Sequence, residues 1–281
     1  MSFLDRLDDV PELDSADYLR FVVDGVQVGM VTDAFADELL TFPDVFVGSE
    51  RSVELHPTLR THEDRTGSVA NVLTELRGRG VIPGWRNELY PVATGFHSPS
   101  LFYVERAAAP LFGIRIYAVN LNGFVMERDE MFVWIARRSM DKQTSPGKLD
   151  VIVSGGHPAD VTLRENLVKE CGEEANIPRP LAEQAKAVGG ISFHTPQPNG
   201  VLHYLQFSFD LELPVDFVPV NTDGEVAEFS LWSIDQLWER VETTRDFAPD
   251  SALVVIDLLI RHGFIDADHP EYPDLLQGLR R

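Results

Sequence analysis

The sequence predicts an α+β protein in two parts: a smaller N-terminal unit, then a larger one of long strands and capped helices. Three observations predict it. The run FVVDGVQVGMV (Phe21 to Val31) alternates around Asp24-Gly25, a strong hairpin signal. After Pro110, two β-rich runs, GIRIYAVNLNGFVM (Gly113 to Met126) and MFVWIARR (Met131 to Arg138), flank the charged turn Glu127-Arg128-Asp129-Glu130. Further on, Thr162-Leu163-Arg164-Glu165 is a capping box, in which Thr and Glu satisfy each other's orphan amides and open a helix.

In chain order, a short helix is expected over Asp33 to Leu40, and a longer one from Thr66 through SVANVLTELRGR to Gly80. GWRNELYPVAT and LFYVERAAA read as a strand pair. A polar loop, Asp141 to Lys148, leads into LDVIVSGG, read as one short apolar strand ending in two glycines. The capped helix stops at Asn176, which tolerates a left-handed backbone, and Pro178 forbids continuation. Strands are expected at Ala187 to Phe193, Leu202 to Glu212 and Val226 to Leu231, and helices at Ile234 to Val241 and Ser251 to Arg261. These elements divide the chain into an N-terminal α+β domain (1–112), a second domain (113–265) and a tail or packing arm (266–281).

The formal net charge of −21 over 281 residues argues against nucleic acid and against an anionic membrane surface as partners. It does not exclude an anionic small molecule, provided a bound metal supplies local positive charge. The single cysteine, Cys171, permits no intramolecular disulfide and suits a reducing cytoplasm. The acidic opening, broken by Pro11, does not read as a targeting segment, and no apolar run approaches the ~20 residues of a membrane span.

On the capped helix, Glu170, Glu173 and Glu174 fall within about a 100° arc. Leu163, Leu167, Cys171 and Ala175 recur every four residues on the neighbouring arc and form the core-facing stripe. Taken alone, such a trio suits a solvated acidic face as well as a metal site. Crowding three carboxylates beside the core is costly unless something positive neutralises them, and Mg²⁺ or Mn²⁺ has the required preference for oxygen.

With Gly155 ahead of it, this helix resembles the Nudix box, G-x5-E-x7-R-E-U-x-E-E-x-G-U, where U is aliphatic. The chain supplies Gly155, Val161, Lys169, Glu170, Cys171, Glu173, Glu174, Asn176 and Ile177 at those positions. Val161 stands where the box has its first Glu, Lys169 in place of the Arg fork, and Asn176 in place of Gly. The resemblance implies a Nudix fold, a mixed β-sheet sandwiched between helices (α-β-α), and hydrolysis of a diphosphate with divalent metal. It implies metal contacts from Gly155, Glu170, Glu173 and Glu174, with a general base from Glu170 or from a later loop, where Glu225 is the candidate. A homodimer is one assembly that the family uses.

GWRNELYPV, ERAAAPLFG, NLNGFV, SPGKLDVIVSGG and LPVDFVPVNTDGEVAEF further resemble the Nudix branch named after thiamin-pyrophosphokinase fusions, with Asn120 where that branch has His. This resemblance implies thiamin diphosphate and its oxidised, damaged analogues as substrates, converted to monophosphates in metabolite clean-up. Trp85, Arg86 and Tyr90 are then expected at a ring-binding surface, with Arg137 and Lys148 as phosphate contacts. Alternatives are a nucleoside diphosphate derivative (an oxidised nucleotide or an ADP-sugar) as substrate, or a non-catalytic ligand-binding module.

Overall fold

The computed structural model describes residues 1–281. A short helix α1 (Leu4–Asp8) precedes the hairpin β1 (Leu19–Val23) and β2 (Val26–Val31). Asp24 and Gly25 both take positive φ, 51° and 77°, the pattern of a turn whose twist matches paired strands. Helix α2 (Asp33–Leu40) follows, capped by Thr32. The hairpin β3 (Phe46–Ser49) and β4 (Ser52–Leu55) was not anticipated, because its strands are only four residues long. The four strands order β2-β1-β4-β3, with β1 parallel to β4. Helix α3 (His62–Gly78) begins four residues before the expected start, where Thr61 and Asp64 form a capping box. The strand pair β5 (Leu89–Val92) and β6 (Phe102–Glu105) and the turn α4 (Ala109–Phe112) complete the unit. Phe21, Phe46, Phe102 and Phe112 meet at its centre, all at 0–1 % exposure.

A larger mixed sheet follows. Its path is β11 (Lys186–Gln197), β12 (Gly200–Glu212), β7 (Arg115–Glu127), β8 (Glu130–Arg138) and β13 (Val226–Ser233). β12 runs parallel to β7, while the other pairs are antiparallel. The apolar run LDVIVSGG is not one strand. It breaks at Ile152 into β9 (Leu149–Val151), which pairs β8, and β10 (Val153–Gly156), which pairs β7. A continuous apolar run carries no mark of where it changes neighbours; only the two pairings impose the break.

Helices cover both faces of this sheet. Helix α5 (Leu163–Ala175), with the short α6 (Arg179–Ala182), buries Leu167, Cys171 and Ala175 against Val119, Leu121 and Phe209. The leucine alone contributes roughly 1.5–3 kcal/mol of burial. Burial also pushes the Cys171 thiol up to about 12, so it is packing rather than a ligand or nucleophile. Helices α7 (Ile234–Thr243) and α8 (Pro249–Arg261) cover the opposite face. Residues 1–10 leave the N-terminal domain the sequence groups them with, and residues 266–281 form a packing arm. Phe3, Leu7 and Val10 join Leu275 and Leu279 of helix α9 (Tyr272–Gly278) and its end in the α8 core. No helix is long and apolar enough to cross a membrane.

Candidate active site

Three consecutive residues of β10 anchor the site. The Ser154 amide donates to Oε2 of Glu174 at 2.7 Å. A β-carbon on Gly155 would lie 2.4 Å from Cδ of Glu170, so only glycine leaves room for that side chain. At Gly156 an added β-carbon would strike the Tyr90 hydroxyl, which reaches across from β5 of the N-terminal domain. Helix α5 opens on its Thr162–Glu165 capping box and is held over this strand by Asn166, whose amide donates to the Gly156 carbonyl at 2.9 Å. The sheet and the helix therefore fix Glu170 and Glu174 relative to each other.

The glutamates are graded in exposure: side chains of Glu173, Glu170 and Glu174 are 49 %, 14 % and 6 % exposed. Burial holds the Glu170 carboxyl above its usual range, against the pull of Lys169. Glu174 lies well above it, burial outweighing Lys142 and the Ser154 amide. Two ammonium groups answer this need for positive charge. Lys169 bonds Glu170 at 3.1 Å and Glu173 at 2.7 Å. Lys142 donates to Glu225 and stands 3.9 Å from Glu174. Burial opposes ionisation of Glu225, but Lys142, Arg106 and Arg86 prevail and draw its carboxyl below the usual range.

In this arrangement no three His, Cys, Asp or Glu side chains converge closely enough to hold an ion. The donors nonetheless fit a hard divalent cation: all are carboxyl oxygens, and two of the groups, Glu170 and Glu174, are buried with a protein ammonium group beside each. A metal held by Glu170, Glu173 and Glu174 would take over that role from the lysines.

Beside the glutamates, a cavity of about 850 Å³ opens between the two domains. Its wall is cationic near Glu225, with Arg86, Arg106, Arg138 and Lys142. Arg86 makes no salt bridge, whereas Arg106 pairs Glu88 at 2.8 Å with its guanidinium 5.7 Å from the Tyr90 ring centroid. Arg138 bonds Asp150 at 2.6 Å and the Thr144 carbonyl, which ties down the loop carrying Lys142. Tyr90 is buried, its hydroxyl without a partner, and burial raises its pKa.

Of the residues singled out in the sequence, Arg86, Tyr90, Gly155 and Glu225 line the cavity; Glu170 and Glu174 adjoin that lining, at Gly155 and Lys142, and Glu173 joins them through Lys169. Trp85, Arg137 and Lys148 do not line the cavity. Trp85 turns back on its own domain, with Arg77 4.9 Å from its ring centroid and its indole N–H on Asn87. Arg137 lies on the opposite face of β8 from Arg138, 3.8 Å from Glu228, because alternate strand residues point apart. Lys148 donates to the Arg245 carbonyl. Sequence reasoning missed Arg106, Lys142, Tyr204, Gln206 and Asp250, all of which line the cavity. Strand alternation could have separated Arg137 from Arg138; nothing local marks the others.

Residues 2–116 match a family model described as a domain of unknown function (DUF4743), and residues 117–252 match the NUDIX domain. Nudix hydrolase 24, chloroplastic, of Arabidopsis thaliana is 44% identical over 266 residues, covering 94% of this chain and 73% of that protein. Nudix hydrolase 20, chloroplastic, of the same plant is 42% identical, with coverages of 94% and 73%. An uncharacterized Saccharomyces cerevisiae protein is 30% identical over 100% of this chain and 90% of its own. Among solved structures, a MutT protein from Methanosarcina mazei aligns with 53% of this chain and 95% of its own, at 19% identity and a TM-score of 0.41, too low to carry an argument. The box residues in register, the helix-sheet-helix architecture and these relatives agree: the chain belongs to the Nudix hydrolases, which act on phosphorus-containing anhydrides and generally use divalent metal.

Proposed function

We propose that the protein hydrolyses the diphosphate of a small molecule bound in the interdomain cavity, with thiamin diphosphate and its oxidised analogues as substrates and Mg²⁺ or Mn²⁺ as the ion. The observation that carries the reading is the cavity itself: Gly155, against which Glu170 packs, and Lys142, 3.9 Å from Glu174, share its lining with a cationic wall, two of whose arginines, Arg86 and Arg106, come from the N-terminal domain. A diphosphate would lie against that wall, and Tyr90, Tyr204 and Phe193 offer flat surfaces to rings. Further support is the sequence resemblance to the thiamin-pyrophosphokinase-related branch, which covers both domains.

When bound, the divalent ion would activate water and neutralise charge on the leaving phosphate. The protein's own groups would do the rest. Arg86, free of any ion pair, would orient the terminal phosphate. Glu225, ionised beside Lys142, would accept the proton of the attacking water, with Glu170 as the alternative base. The single buried cysteine supports placement in the cytoplasm.

The test is a kinetic comparison of oxo-thiamin diphosphate, thiamin diphosphate, ADP-ribose and an 8-oxo nucleoside diphosphate with Mg²⁺. A clear preference for the thiamin derivatives is expected; equal rates, or none, would remove the substrate assignment. Preference for ADP-ribose or the 8-oxo nucleotide would select the nucleotide reading instead.

A further inference from the structure

One acidic group in the cavity is at odds with phosphate binding. Asp250, in the first turn of α8, lines the cavity wall yet forms no salt bridge. Its one side-chain partner is Gln206, whose Nε2 donates to Oδ2 at 2.9 Å. Gln206, 2 % exposed, is fixed in turn by Asn120, also 2 % exposed, whose Nδ2 donates to its Oε1 at 3.0 Å. This relay settles which end of the Gln206 amide faces Asp250: an N–H, not an oxygen. Burial, and then nearby Asp150, hold the Asp250 carboxyl above its usual range against the pull of Gln206 and Arg138, so the residue is kept at a cost in stability. Tyr204 and Phe193 line the same cavity, and the Tyr90 hydroxyl in that wall is without a protein partner.

A carboxylate with no ion pair repels a diphosphate, so it faces another part of the ligand. We propose that Asp250, oriented by Asn120 and Gln206, recognises the organic half of the substrate and selects diphosphates that carry a nitrogen heterocycle with positive charge or an N–H donor. The carboxylate accepts from that ring while Arg86, Arg106 and Lys142 take the phosphates, so one cavity sorts the two ends of the substrate by charge. The inference rests on the proposed hydrolysis in this cavity and deepens it. It also accounts for Asn120, the position where the chain departs from the pattern of the related branch.

The experiment compares wild type with Asp250→Asn, which still accepts from Gln206 but lacks the charge. Thiamin diphosphate and isopentenyl diphosphate, which has no nitrogen, are the probes, read by calorimetric binding and by turnover with Mg²⁺. For the variant, Kd and KM for thiamin diphosphate should rise about tenfold, the worth of one charged hydrogen bond, while those for isopentenyl diphosphate stay unchanged. Its melting temperature should hold or rise, because a buried charge is removed. Gln206→Leu should move Kd in the same direction by a smaller factor. Equal effects on both probes, no effect on either, or a variant that does not fold would each overturn the proposal. If wild type hydrolyses neither probe, the thiamin substrate assignment fails, and the binding comparison still decides the role of Asp250.

Discussion

Replacing Gly155 by alanine should damage catalysis far more than stability. The new methyl carbon would sit 2.4 Å from Cδ, 2.5 Å from Cγ and 2.6 Å from Oε2 of Glu170. Ordinary carbon contacts need ~3.5 Å, so the carboxyl must retreat by about 1 Å. The strand cannot yield, because β10 is paired with β7 from Val153 opposite Leu121 to Gly156 opposite Ala118. The flexible Glu170 side chain, bonded to Lys169 at 3.1 Å, must move instead. Overpacking relieved in this way costs about 1 kcal/mol, or roughly 2–4 °C in Tm for a chain of this size. A displacement of ~1 Å at a reacting group, by contrast, costs about 10²-fold in rate. Steady-state hydrolysis of the best diphosphate with Mg²⁺, beside a thermal melt, measures both. A variant with kcat within about threefold of wild type would refute the claim that Gly155 exists to seat Glu170.

Further outcomes follow from the same geometry. Glu174→Gln should keep or raise Tm, because the amide still accepts from Ser154 while a 6 % exposed charge disappears, yet it should lose most activity and Mn²⁺ affinity; unchanged Mn²⁺ binding by electron paramagnetic resonance contradicts the metal assignment. Lys142→Met leaves Glu225 and Glu174 without their ammonium, so the metal-free protein should melt ~2–4 °C lower, and excess Mg²⁺ should restore it; a deficit indifferent to Mg²⁺ would show that the lysine does not share a role with the ion. Asp210, far from the cavity, gives a pH test. Burial opposes its charge, but His262, Arg261 and Asn122 bond it and bring its carboxyl down to about 2. Because the folded value is depressed from 3.8, the stabilisation is present above that value and is lost as pH falls toward 2. Asp210→Asn should therefore cost about 2 kcal/mol at neutral pH, with the deficit shrinking below pH ~4; a deficit constant with pH would exclude this origin.

Much of the scaffold is local and therefore legible. Asp24-Gly25 specifies a turn, Thr162 and Glu165 cap each other, and Asn176 with Pro178 ends the helix, since each needs only neighbours in sequence. Short elements escaped for the converse reason. The four-residue strands β3 and β4 and the five-residue α1 have too few positions to show a period. They form because Phe3, Phe46 and Val53 find buried partners elsewhere in the chain.

The site divides along the same line. The sequence by itself determined the box: Gly155 in register with three glutamates on one helix arc is a matter of spacing along a single strand-loop-helix unit. It also identified Arg86, Tyr90 and Glu225 as residues to watch, without saying that they meet. Tertiary structure alone decided that Arg86 and Arg106 cross from the N-terminal domain, that Lys142 rather than Lys148 reaches the glutamates, and that Trp85 stays in its own domain. It alone brought Asp250 to Gln206, 44 residues apart in sequence. Contacts of this kind depend on how two sheets and their loops close on one another. Helical and strand periods register which face a residue occupies, but not what that face will meet.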